Sequence, residues 1–228
     1  MTPMPGPRKN SARRPDHQAF VVENTRLGHA RLVPEIKLYL ATAITPLWLA
    51  TEAFLEQQNI APPFWAFAWP GGEALAQYIA RHPELVAGKR VLDFAAGCGL
   101  AAIAACQAGV AAVSAAEIDP VAAAAIALNT AENGVTVEIL LGDMVGADCR
   151  WEVILCGDVC YEAPMTRHIL PWLRSCARQA EVIVADPARK YAPADGFEVL
   201  LCTNVPVSLD LEDSEQRQVT LLRLLPAA

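Results

Sequence analysis

Five carboxylates end short apolar runs along this chain: Asp93, Glu117, Asp143, Asp158 and Asp186. The first stands in Val91–Ala105, VLDFAAGCGLAAIAA, which reads as a buried strand, a glycine turn and the start of an alanine-rich helix. Gly97 and Gly99 let the backbone turn sharply. Free N–H groups at a helix start point into such a turn, so it can cradle a nucleotide-like ligand. Gly97-Cys98-Gly99-Leu100-Ala101-Ala102 fits the dinucleotide fingerprint. Asp93, four residues before Gly97, argues otherwise, because a carboxylate there repels a pyrophosphate and suits a cationic amino acid moiety. Glu117 lies 18 residues beyond Gly99, at the tip of the next strand, where a ribose diol is gripped. Its rival Asp119 reads as the cap of a helix opened by Pro120. Asp143 follows the third strand and can accept from an adenine amino group, with Met144 packing on the ring; a solvated loop carboxylate is the alternative. Asp158, three residues before Tyr161, follows the fourth strand. On spacing alone this pair reads equally as a helix cap with a core tyrosine or as site residues.

The elements that must position these groups follow from hydrophobic pattern. Ala61–Gly72, APPFWAFAWPGG, crowds aromatics ahead of a Pro-Gly-Gly turn. Phe64 and Phe67 are expected to be core, and Trp69 is a candidate ligand contact, since an aromatic face can stack on a purine or lie over a sulfonium. A helix is expected over Glu73–Arg81, with Leu75, Tyr78 and Ile79 on one face. Strands are expected at 91–93, 111–117, 135–141, 151–156 and 181–185, with helices from Leu100, Pro120 and Pro164 between them. Segments 197–203 and 220–225 read as an antiparallel hairpin around an acidic loop. The fold class is therefore α/β, a mostly parallel sheet with helices on both faces and a C-terminal antiparallel hairpin. The five carboxylates all fall on the carboxyl edge, where such sheets bind ligands. Residues 1–18 read as a disordered basic tail and 19–80 as a helical and loop extension packed on the core. The core itself is 81–228. Within the extension, 20–32 reads as a strand and turn, and 33–40 and 46–58 as short helices.

Composition sets limits. The 228 residues are 54% hydrophobic and 19% charged, enough for a core on both faces of a sheet. The net charge of −7 gives a nucleic-acid partner no electrostatic support. Seven cysteines without a Cys-x-x-Cys pair read as reduced thiols in a cytoplasm-like compartment, with no metal site. No apolar run of transmembrane length occurs and no secretory signal is legible, so neither a membrane nor export is expected. A monomer is expected. His82 and His168 read as structural, and Arg189 as a loop cap or a partner for a substrate acid.

Taken together, these motifs resemble a class I, seven-β-strand S-adenosylmethionine-dependent methyltransferase with a Rossmann-like sheet. Asp158-Val-Cys-Tyr161 matches the Asp-x-x-Tyr hallmark of the lysine methyltransferases in that group. Within it the chain is most similar to the electron transfer flavoprotein beta-subunit lysine methyltransferases. Three stretches bear the likeness: Pro62-Pro63-Phe-Trp65-Ala-Phe-Ala-Trp69-Pro70-Gly71-Gly72; Glu117-Ile-Asp119-Pro120 with its alanine-rich helix and Asn129; and Asp186-Pro187-Ala-Arg189. The sequence departs from the family pattern at Ala95-Ala96, where a glycine is usual.

The resemblance implies S-adenosylmethionine as cofactor, bound by Trp69, Asp93, Gly97, Gly99, Glu117, Asp143 and Met144. It implies methyl transfer to lysine of a protein substrate, the electron transfer flavoprotein beta subunit. Asp158 and Tyr161 would be catalytic, Asp158 holding the incoming ammonium and Tyr161 adding an acceptor or an aromatic wall. A small-molecule amine N-methyltransferase would use the same site. An NAD-dependent oxidoreductase explains neither Asp93 nor the Asp158/Tyr161 pair, and a non-catalytic module explains neither the intact glycine turn nor that pair.

Overall fold

The computed structural model describes residues 16–42, 62–207 and 214–227. Most of the expected tail, and the helix expected at 46–58, lie outside them. Seven strands form one sheet: β3 (Arg90–Phe94), β4 (Ala112–Glu117), β5 (Glu138–Leu141), β6 (Val153–Gly157), β7 (Glu181–Asp186), β8 (Phe197–Pro206) and β9 (Gln216–Leu224). Their order is β5-β4-β3-β6-β7-β9-β8. Pairings among β3 to β7 are parallel; β9 runs antiparallel to both β7 and β8. The expected sheet and hairpin are therefore present, with strand ends shifted by up to four residues.

Parallel strands covered on both faces read as continuous apolar runs, and period two sorts their side chains. Val91, Val113, Val153, Leu155 and Ile183 face one core with helices α2 (Pro70–Arg81), α3 (Leu100–Gln107) and Ile126 of α4 (Pro120–Glu132). Leu92, Phe94, Ile154, Cys156, Val182 and Val184 face the other, where α5 (Ala163–Cys176) lays Ile169, Trp172 and Leu173. Asp119 caps α4 by accepting from Val121 N at 2.7 Å, as its position before Pro120 suggests. The helix expected from Glu73 begins three residues earlier, at Pro70, and Leu75 and Ile79 are buried on its inner face.

The N-terminal expectations are corrected. A helix α1 (His17–Asn24), capped by Asp16, occupies the tail boundary and the start of 20–32; the strand expected in that segment is β1 (Arg26–His29), and it pairs with β2 (Lys37–Leu40), where a short helix was expected. The deciding contacts are remote in sequence. Asn129 of α4 accepts from Tyr39 N at 2.7 Å and donates to Cys98 O at 2.9 Å. Asn133 accepts from Lys37 N and donates to Lys37 O. These side-chain amides bond the β2 backbone as a neighbouring strand would, so extended geometry prevails over local helix preference. Buried Glu73 accepts from Arg31 N and Leu32 N and ties the same segment to α2.

Pro70-Gly71-Gly72 forms no turn; it is the first turn of α2, and neither glycine has positive φ. The glycines serve close approach. A Cβ on Gly71 would run into Asp158 Oδ2 and stand 2.7 Å from Ala185 O, and a Cβ on Gly157 would lie 3.1 Å from Gly72 N. Gly71→Ala should therefore lose about 1–3 kcal/mol by overpacking, a fall of roughly 2–4 °C in Tm for each kcal/mol. Gly28→Ala, with nothing within 4 Å of the added carbon, should change stability little. Urea titrations of the two variants check the contrast.

Candidate active site

The glycine turn joins β3 to α3. Gly97 and Gly99 have φ of 53° and 77°, a region glycine enters freely. A side chain on Gly99 would press on Ile126 at 3.3 Å, whereas Gly97 faces open space. Ala95, one of the two alanines at which the resemblance leads one to expect a glycine, also sits at positive φ, 54°, and this strain persists because the surrounding turn imposes it.

Asp93 is buried, and its Oδ2 accepts from Ala102 N in the first turn of α3 at 2.9 Å. Burial pushes its carboxyl up to about 8, the Ala102 bond opposing and Glu117 adding. The residue braces the helix that carries the turn. Glu117, at the tip of β4, accepts from Gly97 N at 3.0 Å and Ile118 N at 2.8 Å. Burial raises its pKa, while these backbone bonds pull it down. Glu117 and the glycine turn are thus joined by a direct hydrogen bond. Asp143 accepts from Val145 N at 2.9 Å and pairs with His168 at 2.7 Å. Those bonds lower its pKa. Met144 packs beside the second core. His168, read as merely structural, is thus a partner of a predicted site residue.

Asp158 follows β6 with φ of 41°, a strained position for a non-glycine residue. Its Oδ2 accepts from Gly71 N at 2.5 Å and its Oδ1 from Arg189 at 3.2 Å, with its own N–H on Ala185 O. It therefore caps α2 from across the sheet edge, not the helix that follows it. Burial pushes its carboxyl up to about 6, against the pull of Arg189 and Gly71. Arg189 was missed as a site residue. Its backbone N–H does bond Asp186 Oδ1 in the loop, but its guanidinium turns to Asp158. No local pattern pairs residues 31 positions apart; the only signal was Asp186-Pro-Ala-Arg189 as a family stretch.

The aromatic expectations change most. Phe64, read as core, is 45% exposed. The buried aromatic of the loop is Trp65. The Phe64 ring lies 6.2 Å from Trp69 and 5.4 Å from Tyr161, and its carbonyl accepts from Trp69 Nε1 at 2.7 Å. Phe67 meets Trp69 edge-on at 5.7 Å and is half-buried. Burial, with Glu162 and Glu117 nearby, raises the Tyr161 phenol, so it keeps its proton at neutral pH. The structure thus brings Trp69, Asp158 and Tyr161 together through Phe64 and Gly71.

The edge offers carboxylate acceptors, an open glycine turn and an aromatic face. That set suits a ligand built of donors and positive charge: an ammonium, a ribose diol, an amino group and a sulfonium. Residues 74–158 match the family model of ribosomal protein L11 methyltransferase (PrmA). The chain is 35% identical over 210 residues to the electron transfer flavoprotein beta subunit lysine methyltransferase of Homo sapiens, covering 89% of this chain and 78% of that one. With that of Danio rerio it is 36% identical over 179 residues, covering 76% and 68%. Among solved structures, the magnesium protoporphyrin IX methyltransferase ChlM of Synechocystis, with bound S-adenosylmethionine, superposes with a TM-score of 0.50 at 17% identity, over 67% of this chain and 77% of that one. The methyltransferase SMU.776, complexed with SAH, gives 0.54 at 12%, over 88% and 56%. These likenesses show the Rossmann-like methyltransferase fold. The cofactor is S-adenosylmethionine, and the acceptor set of the edge fits it. The chain is an S-adenosylmethionine-dependent methyltransferase, and it belongs to the electron transfer flavoprotein beta-subunit lysine methyltransferase family.

Proposed function

We propose that this enzyme methylates a lysine side chain of the electron transfer flavoprotein beta subunit. The observation that carries the reading is Asp158, a carboxylate pinned by Gly71 and Arg189 three residues before the partly exposed Tyr161. The relatives' substrate, named in their descriptions, supplies the acceptor. When bound, S-adenosylmethionine supplies a methyl group on a positively charged sulfur. We assign its amino acid end to the turn braced by Asp93, with Gly97 and Gly99, its ribose to Glu117, its adenine to Asp143 and Met144, and an aromatic contact to Trp69.

The chain's own task is to present an uncharged amine. A lysine ammonium has a pKa near 10.4 and must give up a proton, to water or through Asp158, before it can attack. Asp158 accepts a hydrogen bond from the incoming nitrogen and fixes its direction. Both its oxygens are already anchored, so little motion remains to be frozen when the amine arrives. Tyr161 supplies a neutral hydroxyl and a ring face. The acidic edge and the net charge of −7 disfavour a nucleic-acid acceptor. The cysteines of the described residues are free thiols, in keeping with a reducing compartment such as the cytoplasm. Among the described residues no helix is long and apolar enough to cross a membrane.

Asp158→Asn keeps an oxygen for Gly71 N–H but removes the charge. Transfer should fall roughly 10²- to 10⁴-fold with cofactor binding retained; unchanged turnover would refute the assignment. In the wild type, kcat/KM should drop as pH falls through about 6, where Asp158 takes up a proton. Arg189 holds that pKa down, so Arg189→Gln should move this acid limb to higher pH, read from pH–rate profiles. Labelled S-adenosylmethionine offered with the beta subunit and with a panel of small amines tests the acceptor. Label on lysine of the beta subunit is expected, and label in small amines alone would replace the protein substrate with a free amine.

A further inference from the structure

We propose that Phe64 is a specificity-determining residue of the acceptor site: its ring and that of Tyr161 form a wall for the alkyl stem of the acceptor lysine, with Asp158 at its end for the amine. The inference rests on the lysine-methyltransferase reading above. Phe64 and Tyr161 are 45% and 38% exposed, at an edge where the protein buries other aromatics such as Trp65. Their centroids are 5.4 Å apart with planes inclined at 48°, so the two rings form an angled surface. Two adjacent, partly exposed rings offer an apolar face that the methylenes of a ligand can cover.

The wall and the carboxylate are placed by the same short pieces of chain. Trp69 Nε1 donates to Phe64 O, fixing the one-turn 3₁₀ segment Phe64–Ala66 against the entry to α2. Two residues past Trp69, Gly71 N–H holds Asp158 Oδ2. Three residues past Asp158, the Tyr161 ring returns to Phe64. This closed circuit ties the two rings to the residue that carries the anion through short stretches of chain. A butyl chain ending in an amine is complementary to it, because the methylenes cover the rings while the nitrogen reaches the carboxylate and ring face. A bare small amine leaves the wall uncovered. Phe64 therefore discriminates a protein lysine from a short free amine, a distinction Asp158 alone does not make.

The test compares wild type, Phe64→Ala and Phe64→Trp. Steady-state transfer is followed to the beta subunit and to methylamine, with calorimetric binding of S-adenosylhomocysteine and thermal melting in parallel. Phe64→Ala should raise KM for the beta subunit roughly 5- to 30-fold, leave the methylamine KM and S-adenosylhomocysteine affinity unchanged, and melt with the wild type. Phe64→Trp, which restores a ring, should recover most of the loss. An unchanged KM for the beta subunit in Phe64→Ala would overturn the inference. So would weakened S-adenosylhomocysteine binding in its place, which would put the ring at the cofactor. If the wild type itself transfers nothing to the beta subunit, the substrate reading fails, and the wild-type control separates that result from failure of Phe64 alone.

Discussion

A single carboxylate joins the two halves of the site. Asp158 accepts from Gly71 N–H on one oxygen and from Arg189 on the other, so the tip of β6, the start of α2 and the loop after β7 meet at one group. The contact is possible only because helix backbone and strand-tip backbone nearly touch, which excludes side chains at Gly71 and Gly157. The exposed N–H groups of a helix start need acceptors, and an anion there is favoured by the helix dipole. Asp158 satisfies that need from the far side of the sheet edge. Its strained backbone at φ 41° is tolerated because the contacts around it over-determine its position.

Burial gives these acids different characters. Asp93, bonded to one amide inside the core, is pushed up to about 8, above pH 7. Asp158, with Arg189 beside it, reaches only about 6 and is mostly ionised at the same pH. Asp143, exposed and paired with His168, is lowered instead. Desolvation favours the uncharged carboxyl, while a cation or a hydrogen-bond donor favours the anion, so position sets the chemistry of like residues.

The N-terminal segment depends on the same core. The amides of Asn129 and Asn133 hold β2, and Asn129 also bonds Cys98 O inside the glycine turn. One helix, α4, thereby links the hairpin to the glycine turn. Trp65 and Val21 pack on the same helix through Ala122 and Ala125. The exposed Phe64 thus projects from a segment whose neighbour is anchored in the interior.

What the sequence determined by itself was whatever depends on near neighbours in the chain. Apolar runs with glycine and proline punctuation marked the strands and helices of the sheet, and strand-tip carboxylates marked the ligand edge, because both follow from backbone geometry within a few residues. Resemblance added the reaction and the Asp158/Tyr161 pair. What only the tertiary structure decided was how distant groups share a contact. The N-terminal hairpin replaced a helix because Asn129 and Asn133 supply remote backbone partners. Pro70-Gly71-Gly72 became a helix start because its glycines must pass Asp158 and Gly157. Arg189 joined the site across 31 residues. Phe64 came out exposed because Trp65 filled the interior position and Tyr161 stood opposite. Apolarity records a tendency to be buried, and the choice of which ring is buried belongs to packing across the fold.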